Sequence, residues 1–201
     1  MCMSQPFLLL NDLLSLHICE DIVNDLYTIN LLDDIDTTAL HKREELTDEA
    51  LVDIMLRLGK HISPSIESHF NVKVNKIEHI EHECVFSPHP VTEPSCENST
   101  YIKEFNQWMR DKSYDFTAVL FLKSEYDKTE DIDTSIEVYG GTLQFPQHNI
   151  KLHPSAGCVV VFPSDPHFIN IIGTVQMGSL FLIRMHFSCD TMYIYNPKKG
   201  D

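Results

Sequence analysis

Basic residues are scarce in this chain. Fifteen lysines and arginines stand against 30 aspartates and glutamates, and the net charge is −15 at pH 7. The few cations are scattered through the sequence, so a nucleic-acid backbone or an anionic lipid surface is an unsuitable partner. Cysteine pairing is also missing. The six cysteines (Cys2, Cys19, Cys84, Cys96, Cys158 and Cys189) lie far apart with no Cys-x-x-Cys unit, which excludes a zinc ribbon or a dithiol redox motif. No apolar run approaches the ~20 residues of a membrane span. The short run at residues 6–10 has no basic leader and is cut by Asn11 and Asp12, unlike a secretory signal. What is present is ordinary for a globular protein: 201 residues, 43% hydrophobic and 22% charged. That is enough chain for one domain with a full core, without disulfide staples. The expectation is a single cytoplasmic domain over residues 1–201, with reduced thiols.

Hydrophobic periodicity divides the chain in two. Leu13, Leu14, Leu16, Ile18, Ile22, Val23 and Leu26 follow a helical period, with Asn11 or Asp12 available as N-cap. Residues 33–45 are polar and read as loop. Thr47 offers the cap of a second amphipathic helix bearing Leu51, Ile54, Met55, Leu58 and Ile62, with Gly59 and Pro64 as weak points. From Val72 the pattern turns to alternation as far as Phe86, which reads as strand. Residues 87–100 hold Pro88, Pro90 and Pro94 and read as loop, and Ser99 can cap a short helix through Trp108. The acidic run 125–133 reads as a solvated hairpin tip. Four apolar runs follow, at 116–122, 158–162, 169–175 and 180–187, separated by Gly, Pro, Asp and Ser. Helices followed by many short strands define an α+β domain. Its helical support spans 1–70 and its β core 72–195.

The ordered string in that core is specific. It runs Asp-Phe-Thr-Ala-Val-Leu-Phe-Leu (115–122), Tyr-Gly-Gly-Thr-Leu-Gln-Phe-Pro-Gln-His (139–148), Lys-Leu-His-Pro-Ser-Ala-Gly-Cys-Val-Val-Val-Phe-Pro-Ser (151–164) and Gly-Ser-Leu-Phe-Leu-Ile-Arg-Met-His-Phe (178–187). In order and spacing it resembles the double-stranded β-helix, or jelly roll, of the prolyl-hydroxylase-like Fe(II)/2-oxoglutarate dioxygenases. The resemblance implies Fe(II) and 2-oxoglutarate as cofactors. It further implies a His-x-Asp pair and a later His on the iron, and an Arg or Lys on the far carboxylate of the cosubstrate.

Several of those positions hold other residues. In the best register Glu93 and Ser95 stand at the His-x-Asp pair. His79 and Glu81 share a strand face and form an alternative pair. The later His falls on His167 when counted from Phe162-Pro163-Ser164, and on Asn170 when counted back from Gly178. Leu180 stands at the cosubstrate anchor, Phe121 at a position that often carries Tyr, and Arg184 lies four residues on with the same parity, roughly 13 Å away. The candidate metal ligands are therefore His79, Glu81 and His167, and the candidate cosubstrate ligand is Arg184. Two functions compete: an oxygenase hydroxylating a peptide or small substrate, and a catalytically inactive jelly-roll module with a protein partner or a place in a larger assembly. A third, a jelly roll of other origin binding sugars or small acids, accounts for fold but not for the ordered matches.

Overall fold

The computed structural model describes residues 6–32, 41–126, 133–134 and 137–196. The elements in chain order are β1 (Leu8–Leu10), α1 (Leu16–Leu32), β2 (His41–Glu45), α2 (Glu49–Phe70) and β3 (Val74–Phe86). There follow β4 (Ser99–Ile102), β5 (Gln107–Arg110), β6 (Phe116–Phe121), β7 (Ser124–Glu125) and β8 (Glu137–Gly140). The last are β9 (Leu143–Phe145), β10 (Ile150–Leu152), β11 (Val159–Pro163), β12 (Ile171–Ile172) and β13 (Val175–Cys189).

The major sheet runs β1-β11-β6-β13-β3-β2, with β8 joined to the far end of β13. A minor sheet, β10-β9-β12, faces it. The result is the expected α+β double-stranded β-helix. The long central strands alternate, up to the bulge where β13 and β3 shift register after His186. Ile80, Cys84, Phe116, Ala118, Leu120, Val159, Val161, Phe181, Ile183, Met185 and Phe187 face outward into one apolar layer. There they meet Cys19, Ile22, Val23 and Leu26 of α1 and Leu51, Met55, Leu58, Ile62 and Ile66 of α2. The alternate residues, including Val85, Val119, Phe121, Val160, Phe162, Leu180 and Leu182, face inward and form a second core with Leu143, Phe145 and Ile172 of the minor sheet.

Local chemistry sets the helix ends and corrects several sequence expectations. Asp48, one residue after Thr47, caps α2 by accepting the Leu51 N–H at 2.9 Å. The helix passes through Pro64 to Phe70, where Asn71 in the left-handed region closes it. Ser63 Oγ donates to Gly59 O at 2.8 Å beside the proline, and Ile62 and Ile66 anchor both sides of it in the core. Gly59 marks a close approach rather than a weakness: a Cβ there would meet the Ile77 side chain at 2.3 Å. Gly157 has φ +79°, and its missing Cβ leaves room for the Leu14 carbonyl.

Residues 41–45, expected as loop, form an edge strand paired with β3. The short helix expected from Ser99 through Trp108 is instead part of the β4–β5 hairpin, with Tyr101 opposite Trp108; the cross-strand aromatic contact prevails over the Ser99 cap. β1, in the stretch assigned to helical support, pairs with β11. Most of the acidic run 125–133 lies outside the described residues.

Candidate functional site

The inward face of the major sheet changes character along its length. On β13 it reads Leu180, Leu182, Arg184, His186; on β3, paired antiparallel, Val85, Glu83, Glu81; on β6, Phe121, Val119, Thr117. One end is therefore aliphatic and aromatic, and the other is charged. Edge strand β2 adds His41 and Arg43 to the charged end. The connection after β3 adds one more carboxylate, Glu97, which is 1% exposed. That connection is stitched to the opposite wall by backbone bonds: Thr92 N to Ile172 O, Ser95 and Asn170 reciprocally, and Asn98 N to Ser164 O.

The charged groups satisfy one another. Arg184 (1% exposed) donates from Nε to Glu83 Oε2 at 2.7 Å and from Nη1 to Glu97 Oε1 at 2.8 Å. Asn170 Nδ2 donates to the same Glu97 oxygen at 2.9 Å. Arg43 Nη2 lies 2.5 Å from both Glu97 Oε2 and Glu81 Oε2, and its Nε donates to Glu81 at 2.6 Å. His186 is held between Glu81 Oε2 on Nε2 (3.2 Å) and Thr117 Oγ1 on Nδ1 (3.0 Å). At the surface His41 Nε2 meets Glu83 Oε1 at 2.8 Å.

Burial opposes ionisation of the three carboxylates, yet the guanidiniums and hydrogen bonds win. Glu83 is pulled down to about 2, by Arg184 foremost and by His41 and Arg43. Glu97 is held well below the usual carboxylate range by Arg43 and Arg184, and Glu81 by His186 and Arg43. Burial lowers His186, against the opposing pull of Glu81 and Glu97.

The sequence candidates are placed as follows. His79 is half-buried on β3 with Nε2 3.3 Å from Glu81 Oε1. His167 sits in the 3-10 turn Pro166–Phe168, its side chain 54% exposed and its Nδ1 2.9 Å from Asp165. Asn170, the rival of His167, lies in the interior beside Glu97, and Ser95, at the Asp position of the implied pair, bonds to it through backbone. Arg184 points inward, but its guanidinium is already committed to two carboxylates. Among the described residues, the three potential metal ligands whose donor atoms gather within 4.8 Å are Glu81, Glu97 and His186. His79 and His167 are not in that group.

Arg43, Glu83, Glu97 and His186 were not singled out from the sequence. Two of them had a signal. Glu83 repeats the parity of Glu81 on β3, and His186 that of Arg184 in the otherwise apolar run 180–187, and a charge buried at such a position needs a partner. Arg43 and Glu97 come from segments with no periodicity.

A tetrad of ligands and cosubstrate anchors can be tested against this geometry. Glu97 has both oxygens engaged by Arg43, Arg184 and Asn170, and His186 has both ring nitrogens engaged. At the other end Leu180 is fully buried beside Gly141, and Phe121 is 2% exposed. A cosubstrate carboxylate there would meet apolar side chains without a countercharge. As paired here with Arg43 and Arg184, these side chains offer iron no free ligand set, and the apolar end offers 2-oxoglutarate no countercharge.

The architecture is nonetheless shared with known enzymes. A viral collagen prolyl hydroxylase from Paramecium bursaria Chlorella virus-1, in complex with 2-oxoglutarate, superposes with TM-score 0.66 over 93% of this chain and 97% of that one, at 14% identity. A Pseudomonas putida prolyl-4-hydroxylase gives 0.62 over 92% and 93%, also at 14%. A Phytophthora capsici prolyl 4-hydroxylase gives 0.63 over 99% of this chain and 63% of that one, at 12%. No sequence-family profile and no curated protein sequence matches the chain. The chain thus has the double-stranded β-helix of the 2-oxoglutarate oxygenases. Within that class its fold is the prolyl-hydroxylase-like one.

Proposed function

We propose that this chain is a catalytically silent prolyl-hydroxylase-like domain, a binding or structural module whose barrel is closed by ion pairs in place of iron and cosubstrate. The observation that carries the reading is Glu97. It lies beside Asn170, one of the two positions, with His167, at which the resemblance implies a ligand, and its two oxygens are taken by Arg184, Asn170 and Arg43. An arginine that neutralises two buried carboxylates has no free edge for a third. Removing it from them would leave buried charge uncompensated, at several kcal/mol by general experience, about 3–5. Leu180 at the anchor position adds to the same reading, because an unpaired carboxylate in that apolar end is strongly disfavoured. The partner this reading expects is a protein or a larger assembly. The net charge of −15 disfavours nucleic acid, and no helix of the described residues is long and apolar enough to cross a membrane.

The test has two arms. Calorimetric titration of 2-oxoglutarate in the presence of Mn(II), an iron surrogate, is expected to give no heat of binding at micromolar concentrations. Metal analysis of protein purified without chelators is expected to find iron far below one per chain. Stoichiometric iron that disappears in His167→Ala, with micromolar 2-oxoglutarate affinity, would restore the oxygenase with His79, Glu81 and His167 as its ligands.

A further inference from the structure

Arg43 occupies a singular place. It stands on the edge strand β2, and its guanidinium reaches into the barrel between Glu81 and Glu97, within 2.5 Å of an oxygen of each. His186 Nε2 lies 3.2 Å from the same Glu81 oxygen. The three side chains come from β3, the 87–98 connection and β13, elements cross-linked by the backbone pairing described above. Their donor atoms, all within 4.8 Å of one another, need close by only about 1–2 Å to reach the separations that ligands adopt around a first-row ion at about 2.0–2.2 Å. One imidazole and two carboxylates is a donor set suited to Mn, Fe, Co or Zn.

Charge supports the same conclusion. Glu81, Glu83 and Glu97 bring three negative charges, and Arg43 and Arg184 bring two positive ones. With Arg43 withdrawn and a divalent ion in its place, Arg184 and the ion balance the three carboxylates. With both present, positive charge is in excess and the two compete for the same oxygens.

We propose that Glu81, Glu97 and His186 form a latent site for a first-row divalent cation, which Arg43 fills as a tethered cation, so that docking of β2 and metal binding exclude each other. The proposal rests on the ion-pair-closed barrel argued under Proposed function. It concerns a ligand set other than His79, Glu81 and His167.

Cobalt(II) is the probe, since its visible absorption reports coordination and its effect on Tm reports binding to the folded chain. In the full chain with Arg43 intact, cobalt should produce no ligand-field bands and no change in Tm. Arg43→Ala and Arg43→Gln should melt lower, and saturating cobalt should raise their Tm by ~5 °C or more with the appearance of such bands. Adding His186→Ala should abolish both effects. If neither variant folds alone, refolding is done with cobalt present: recovery of the native circular-dichroism spectrum supports the site, and failure to recover overturns it. A folded Arg43 variant that takes up no cobalt overturns the latent site and leaves the silent-module reading intact. Stoichiometric cobalt in the unaltered chain, lost on His186→Ala, overturns the exclusion and the silent-module reading together.

Discussion

The two ends of one barrel interior are built from the same three strands and held by opposite means. At one end Val85, Phe121, Leu180 and Leu182 are packed without a polar contact among their side chains. At the other, a few residues along the same strands, Glu81, Glu83, Arg184 and His186 are buried to a comparable degree and held by directed bonds. The apolar end tolerates variation in shape if volume is kept. The charged end tolerates none of its members being removed singly, because each loss strands a partner in a low-dielectric interior. Both solutions fill space and balance charge with the protein's own side chains.

The sharpest contrast comes from paired substitutions on β13. Arg184→Met keeps most of the volume but leaves Glu83 and Glu97 without their shared cation. A loss of about 3–5 kcal/mol is expected in urea unfolding. Leu182→Ala, two residues away on the same face, removes packed methyl groups and should cost about 2–4 kcal/mol. If Arg184→Met were neutral, the charged end would be a solvated cluster and the contrast between the two ends would collapse.

Acid separates the two mechanisms more finely. Glu81, Glu83 and Glu97 ionise in the folded chain below their usual range, Glu83 at about 2. Below the ordinary carboxylate value of about 4.3 the unfolded chain therefore binds more protons than the folded one. Their stabilisation is complete above that pH and is lost as pH falls towards about 2. In Arg184→Met the stranded carboxylates take up protons more readily and become neutral. The stability gap between that variant and the unaltered chain should shrink as pH is lowered from 7 to 4. The Leu182→Ala gap should stay constant over the same range, since no proton is involved. Parallel urea titrations at several pH values decide it; a constant Arg184→Met gap would show that its cost is packing alone.

The apolar end was legible from residue order, and the charged end was not. The apolar runs 116–122, 158–162 and 180–187 were readable as strands, and the fixed period of two in a strand then sets Val119, Phe121, Val160, Leu180 and Leu182 on one face. The same parity put Arg184 in the interior. What it met there depends on Glu97 and Arg43, delivered by an irregular connection and by a five-residue edge strand with no hydrophobic pattern. Partner identity across 87 residues of sequence, as for Arg184 and Glu97, is a property of tertiary closure. The choice between His167 and Asn170 was open for a related reason. The turn Pro166–Phe168 sends His167 outward onto Asp165, while Asn170 lies inside on Glu97. Hairpin 99–110 was misread because the Ser99 cap is a local signal, whereas the Tyr101–Trp108 contact, with ring centroids 5.4 Å apart, spans the turn.

Lys123 provides the smallest test and the opposite sign. It lies just beyond β6, 1% exposed, with Nζ donating to Thr134 O at 2.6 Å and standing 5.3 Å from the Phe181 ring centroid and 5.9 Å from that of Tyr27. Unlike Arg184, it donates to a backbone carbonyl, and burial pulls its ammonium down to about 8, against a smaller opposing pull from Asp133. Between that value and the ordinary lysine range near 10.4 the unfolded chain holds the proton that the folded chain has released. Stability from this group therefore rises with pH across that interval and is reduced below it. Lys123→Met keeps the stem and the ring contacts while removing the charge. It should raise stability at pH 7 by about 1–2 kcal/mol, allowing for the lost hydrogen bond and cation–π contacts. The gain should fade as pH approaches 10. A loss of stability at pH 7 would mean that the two rings and the Thr134 carbonyl hold the ammonium as effectively as the carboxylates hold Arg184, and that pairing with opposite charge is not what distinguishes the charged end of the barrel.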